Sequence, residues 1–345
     1  MSEPLLSVHG LVTTFHSDDG VVHAVNGVSF DVHPGETLGV VGESGSGKSV
    51  TMLSLVRLIP QPSGRIEAGI ARFHTDDGSV DLLDLSEEDV GAIRGGEIGF
   101  VFQDPATSLN PVMTVGRQVT ESLRHHRRLR RRAARAEAVD LLRRVGIADP
   151  ENRFDDYPHQ LSGGIRQRVV IAIALAGNPS LIIADEPTTA LDVTVQAQIM
   201  ELMKKLQAER GLAIIWVSHD LAVVAGVADR VLVLYGGTVV ETAPVDELFA
   251  NPQHPYTRAL LAAVPSPDAA AERPAPIPGT PPGFSEEPAS CPFADRCRHV
   301  FDRCRLQRPG LTEIGPNHGV ACFWNVGDDR LRHDVPVVAS REYVP

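Results

Sequence analysis

"TLGVVGESGSGKSVTMLSLVRLI", residues 37–59, decides the fold. It opens with an apolar run of strand length, passes through a loop of three glycines and continues with apolar residues at helical spacing. Gly42, Gly45 and Gly47 free the backbone to curl, so its N–H groups converge on an anion at the start of the following helix. Lys48 is placed to reach the β- and γ-phosphates of a nucleotide, and the Ser49 hydroxyl to ligate Mg²⁺. Strand, loop and helix in that order make a phosphate cradle and predict an α/β fold.

The pattern extends in both directions. Upstream, "LLSVHGLVTTF" and "VVHAVNGVSFDV" alternate apolar and polar residues, which predicts an antiparallel β subdomain. Downstream, the stretch from about 104 to 160 becomes helical and strongly charged, closing on Gly146 in "RQVTESLRHHRRLRRRAARAEAVDLLRRVG". It reads as a helical subdomain, about 104–180, inserted into the sheet. Buried strands return at "SLIIADEP", "LAIIWVSHD" and "RVLVLYGGTVV". Strands alternating with helices predict a mainly parallel sheet covered on both faces.

The 345 residues exceed one typical core, and the organisation expected is a nucleotide-binding part over 1–250 and a C-terminal extension over 251–345. The extension begins with "PSPDAAAERPAPIPGTPPGFSEEP", a Pro- and Ala-rich linker, and continues into a region holding all four cysteines. Lys plus Arg number 32 against 44 Asp plus Glu, a net charge of −12, which argues against nucleic acid as the main partner. The basic run "RHHRRLRRR" at 124–132 lacks interleaved aromatics and reads as a solvated helix face touching a partner. The N-terminus shows no export signal. The longest apolar runs, such as "VVIAIALA" at 169–176, fall short of the roughly 18 residues of a membrane span. A cytoplasmic location is expected.

Further candidates sit at strand ends and in loops. Asp185 and Glu186 close the strand of "LIIADEP", where Asp185 suits a hold on Mg²⁺ and Glu186 can polarise an attacking water. His219 ends another strand, where sheets of this kind place ligands. Gln103 starts a loop marked by Asp-Pro and Asn-Pro turns. "LSGGIRQR" at 161–168 puts a serine and two glycines at a helix start that suits an anion, yet no lysine follows: it is half a phosphate site. Cys291, Cys297, Cys304 and Cys322 are spaced C-x5-C-x6-C-x17-C, unlike the close pairs of common zinc sites. Four thiolates suit a [4Fe–4S] cluster or tetrahedral zinc, with free thiols the remaining possibility.

In this order the segments resemble the ATP-binding subunit of an ABC transporter over essentially the whole chain. "GESGSGKS" resembles that family's Walker A motif, Gln103 its Q-loop, "LSGGI" its signature, "LIIADE" its Walker B, "ALD" at 190–192 its D-loop and His219 its switch histidine. The resemblance implies a P-loop NTPase core of ABC type. It places Phe15 on the adenine of ATP and Gly42, Ser44, Gly45, Ser46, Gly47, Lys48, Ser49 and Val50 around its phosphates. Ser49, Gln103 and Asp185 are the implied Mg²⁺ partners; Glu186, His219 and Gln103 are the implied catalytic residues. Two subunits bind head to tail in this family, so Ser162, Gly163 and Gly164 would meet an ATP held by a partner subunit, which explains the half site. Ile165 stands where the family commonly has glutamine.

"FQDPATSLNPVMTVG", "HPYTRALLAAVP", "CPFADRCRHVFDRC" and "HGVACFW" are similar to the oligopeptide/dipeptide branch of ABC importers. That likeness implies a second, different ATPase subunit, two membrane permeases and an extracytoplasmic binding protein, with this chain at the cytoplasmic face of the membrane. Some members of the branch resemble iron–sulfur proteins at the cysteines, which favours [4Fe–4S] over zinc. The readings set against peptide import are a soluble ABC ATPase of DNA repair or translation, an iron–sulfur sensor using ATP only for assembly, and an importer of another solute such as nickel chelates.

Overall fold

The computed structural model describes residues 3–75, 78–189, 191–264, 277–332 and 334–338. They form two compact units whose segments interleave along the chain.

One unit comprises Met1–Leu6, Val32–Thr37 and Phe73–Ser218. Its frame is three parallel strands, Ile98–Val101, Leu181–Asp185 and Ala213–Ser218, with Ile98 opposite Leu181 and Asp185 opposite Val217. Every residue of the last two strands is buried, as in parallel strands covered on both faces. Parallel neighbours need a long crossover. The first crossover carries the helices Pro105–Ser108, Val115–His126, Arg131–Arg144, Pro150–Arg153 and Gly163–Leu175, the inserted helical region read from the sequence. The second is the helix Val193–Arg210, capped by Asp192 Oδ1 accepting from the Val195 N–H at 2.9 Å. The basic run does not lie on one helix. Arg128 takes a left-handed φ of 51°, which ends the helix at His126 and lets a new one start at Arg131.

The other unit comprises Ser7–Asp31, Leu38–Arg72 and His219–Pro345. Strands Leu6–Ser17 and Gly20–Val32 are joined through Asp18 and Asp19, so they run antiparallel, and Gly64–Thr75 lies beside the first. A second group of strands runs Thr37–Val41, Arg230–Tyr235, Thr238–Pro244, His318–Val320, Thr312–Gly315. The first pair is parallel, Leu38 opposite Arg230, and the others are antiparallel. "RVLVLYGGTVV" is therefore a hairpin. Gly236 and Gly237 both take positive φ, 54° and 71°, as a two-residue turn between twisted strands requires. The last two strands come from the C-terminal extension, which is built into this sheet.

Glu241 fastens that extension. Its fully buried carboxylate accepts from the backbone N–H of Gln253 (2.6 Å) and His254 (2.9 Å) and lies 2.8 Å from His318 Nε2. His254 caps the helix Pro255–Ala262, its Nδ1 accepting from the Tyr256 N–H at 3.0 Å. Complete burial pushes the His254 pKa down to about 4, which keeps the ring neutral and the cap in place. Among the described residues no helix is long and apolar enough to cross a membrane. Residues 265–276 of the Pro- and Ala-rich linker lie outside the described residues.

Candidate nucleotide site and cysteine module

The strand Thr37–Val41 is buried along its length and delivers the chain into the glycine loop. Gly42, Gly45 and Gly47 have φ of 152°, 79° and 95°, a region that side chains avoid. At Gly42 an added Cβ would collide with Leu234 O, and at Gly47 it would come 2.5 Å from Ala24 O. The helix Lys48–Leu55 starts directly at the lysine. Lys48 is 5% exposed and its Nζ donates to Gly42 O (2.7 Å) and Glu43 O (2.9 Å), closing the loop over itself. Ser46 and Gly47 are buried, Ser44 and Gly45 exposed, Ser49 and Val50 half-buried. Phe15 lies half-buried in the same unit, its ring 3.0 Å from the position a Cβ on Gly64 would take. His219, also of this unit, is exposed directly after its strand, and Asp220 caps the next helix by accepting from the Ala222 N–H at 2.9 Å.

The other unit holds Gln103, Ser162, Gly163, Gly164, Asp185 and Glu186. Asp185 ends its strand 7% exposed. Glu186 takes a left-handed φ of 48°, donates its N–H to Val217 O (3.0 Å) and accepts at Oε2 from Gln103 Nε2 and Thr189 Oγ1, both at 3.0 Å. A non-glycine residue held in that conformation stores strain of order 1–3 kcal/mol, and such strain collects where a side chain must be aimed. Gln103, a plain loop glutamine in the sequence, is thus a direct partner of Glu186. Thr189 escaped the sequence reading, since nothing marks a hydroxyl three residues beyond the acid.

Ser162 sits at the N-cap of the helix Gly163–Leu175 but makes no capping hydrogen bond, and Ser162 and Gly163 are exposed. Gly164 is needed for close approach, because a Cβ there would come 2.7 Å from Val195 Cγ1. An exposed hydroxyl beside uncapped first-turn N–H groups is chemistry that suits an anion. Of "ALD", Leu191 and Asp192 lead into the next helix, while Ala190 lies outside the described residues.

The four cysteines converge. Cys291, Cys297, Cys304 and Cys322 line one small cavity together with Phe293, Phe323 and Trp324, and all four are free thiols. Burial raises the thiols of Cys291 and Cys297 above their usual value and that of Cys322 to about 12. Among the described residues no group of three or more His, Cys, Asp or Glu is arranged to hold a metal ion. That leaves the [4Fe–4S] and the zinc readings alike without a metal-binding arrangement to support them.

Comparison with known proteins places the chain. Residues 25–189 match the ABC transporter family, and residues 240–304 match the C-terminal region of oligopeptide/dipeptide transporters. The oligopeptide transport ATP-binding protein OppD of Bacillus subtilis is 50% identical over 341 residues, covering 99% of this chain and 92% of its own. The dipeptide transport ATP-binding protein DppD of the same organism is 47% identical, covering 96% and 98%. Among solved structures, the dimeric ATP-binding cassette MJ0796 in a post-hydrolysis state with ADP and Pi superposes with a TM-score of 0.61 at 30% identity, covering 70% of this chain and 98% of its own. The chain belongs to the ABC transporter ATPases, in the group whose members carry the oligopeptide/dipeptide C-terminal region.

Proposed function

We propose that this chain is the ATP-hydrolysing subunit that powers import of dipeptides or oligopeptides through a pair of membrane permeases, from the cytoplasmic face of the membrane. The kinship with OppD and DppD, which extends over nearly the full length of each chain, supports the cargo class. In this reading residues 1–250 form the nucleotide-binding part and 251–345 the extension. Its partners are a second, different ATPase subunit and, beyond the permeases, an extracytoplasmic binding protein.

The observation that carries the mechanism is that the chain holds both a half site at Ser162 and a complete glycine loop. Each ATP lies between the loop of one subunit and the signature segment of the other. Phe15 stacks on adenine, the loop N–H groups and Lys48 hold the phosphates, and the Ser162 hydroxyl with Gly163 and Gly164 meets the γ-phosphate from across the interface. Ser49, Asp185 and Gln103 carry oxygen donors of the kind Mg²⁺ prefers and would hold it; the ion would supply neutralisation of phosphate charge. Glu186, aimed by its backbone and by Gln103 and Thr189, takes the proton of the attacking water; His219 serves the γ-phosphate. Ser162→Arg is expected to leave nucleotide binding by the variant chain unchanged and to lower turnover at the ATP it faces by at least 100-fold, read in dimers mixed with a wild-type partner. Loss of ATP from the variant chain itself would overturn the head-to-tail arrangement.

A [4Fe–4S] cluster at Cys291, Cys297, Cys304 and Cys322 belongs to the same proposal. Four thiols around one cavity are the donor set such a cluster takes, and the cysteines would bind it as thiolates. No step of the ATP chemistry runs through it. Protein purified without oxygen is expected to contain about four irons and four acid-labile sulfides per chain. Metal-free protein would make the cysteines packing residues.

A further inference from the structure

The second residue of the glycine loop is an acid. Glu43 follows Gly42, and its carbonyl oxygen is one of the two that Lys48 holds. A carboxylate is an odd occupant of a loop whose N–H groups must attract a polyanion. Its charge is met by Arg296, 253 residues further on, in the short 3₁₀ turn Ala294–Arg296 between Cys291 and Cys297.

The contact is a two-pronged fork. Arg296 Nη1 donates to Glu43 Oε2 at 2.6 Å and Nη2 to Oε1 at 3.0 Å. The arginine side chain is 5% exposed and the glutamate side chain 24%. Arg296 is fixed besides by its donation from Nε to Pro278 O (2.7 Å), from Nη2 to Ile277 O (3.2 Å) and from Nη1 to the Tyr235 hydroxyl (3.2 Å). The Glu43 backbone is held from the same side, its N–H donating to the Tyr256 hydroxyl at 2.8 Å. Tyr235, Tyr256 and Phe293 pack ring against ring, with centroids 4.6–5.3 Å apart, beneath the pair. Side chain and backbone of one loop residue are thus both fastened by the C-terminal extension.

We infer that Arg296 is a positioning residue for nucleotide binding: it neutralises and orients Glu43, so that the cysteine module sets the affinity of the glycine loop for ATP. The inference rests on the reading of residues 42–49 as the ATP loop. A forked, partly buried arginine–carboxylate pair is a strong and directional contact. Deleting the arginine leaves a carboxylate uncompensated beside the place where phosphates bind, whereas deleting both charges leaves nothing to repel them. The sign of the double variant therefore separates electrostatic positioning from packing.

The test is binding of a fluorescent ATP analogue with Mg²⁺ to the full chain, alongside steady-state hydrolysis. Arg296→Ala is expected to weaken binding about ten-fold, which is about 1.4 kcal/mol, and to raise KM more than it lowers kcat. The deficit shrinks as salt rises from about 0.05 to 0.5 M, because screening shortens the reach of the bare carboxylate. Adding Glu43→Gln to Arg296→Ala restores affinity to within about three-fold. Should Arg296→Ala fail to fold, Glu43→Gln alone decides: it binds ATP at least as tightly as wild type, and weaker binding overturns the inference. Wild-type affinity in Arg296→Ala, or a double variant no better than the single, overturns it as well. Lys48→Ala distinguishes the two levels: if that variant binds ATP normally, the loop reading itself has failed.

Discussion

Replacing Glu186 by glutamine is expected to leave ATP binding intact and to lower the rate of hydrolysis by roughly 10²–10⁴, the usual worth of a general base. The factor corresponds to about 3–5 kcal/mol of activation free energy. Glutamine preserves the size of the side chain and an oxygen that can accept from Thr189 Oγ1 and Gln103 Nε2, now at 3.0 Å from Glu186 Oε2. The backbone tie from the 186 N–H to Val217 O does not involve the side chain. What disappears is the ability to take a proton from water. Single-turnover hydrolysis with pre-bound ATP separates this from binding, and the nucleotide-filled dimer should accumulate. A rate within three-fold of wild type would remove the base assignment from Glu186.

How much of this was legible in the sequence depends on how far apart the partners lie. The glycine loop announces itself because its requirements are local: positive φ at Gly42 and Gly47, a lysine one residue later and an apolar strand in front. The strands "LIIAD" and "AIIWVS" were equally plain, since burial on both faces leaves a continuous apolar run. Gln103 and Glu186 lie 83 positions apart, and only the crossover from Ile98–Val101 to Leu181–Asp185 brings them to 3.0 Å. No periodicity encodes that meeting.

The C-terminal strands were missed for a related reason. His318–Val320 is three residues long, with histidine and glycine in two of its places, and its register is fixed by Glu241 opposite Val320 and by the His318 ring on the Glu241 carboxylate. Those are tertiary choices, invisible to a hydrophobic pattern. "RVLVLYGGTVV" was read as one strand, although its Gly-Gly pair carried the turn signal that the structure uses. The pairing of Glu43 with Arg296 spans 253 positions and leaves no trace in the sequence beyond an acid where a phosphate loop has little use for one.

Lys48→Ala is expected to weaken ATP binding by about 100-fold or more and to abolish turnover, while the protein without nucleotide melts close to wild type. Lys48 makes two charge-assisted contacts to the loop's own carbonyls, at 2.7 and 2.9 Å, and a bound nucleotide would add contacts from phosphate oxygens. Each hydrogen bond from a charged donor is worth roughly 1.5–3 kcal/mol, so losing one net phosphate contact reaches the 100-fold mark. The glycine turns persist without the ammonium, because their φ values are set by the chain and by the approach of Leu234 O and Ala24 O. Thermal melting with and without ATP turns this into a measurement. At a concentration of 100 times the wild-type Kd, ATP stabilises wild type by about 2.7 kcal/mol, whereas a 100-fold weaker variant gains only about 0.4 kcal/mol. An equal rise in Tm for both proteins would show that Lys48 does not hold the phosphates. A variant that melts far below wild type before any ATP is added would show instead that the ammonium holds the loop itself.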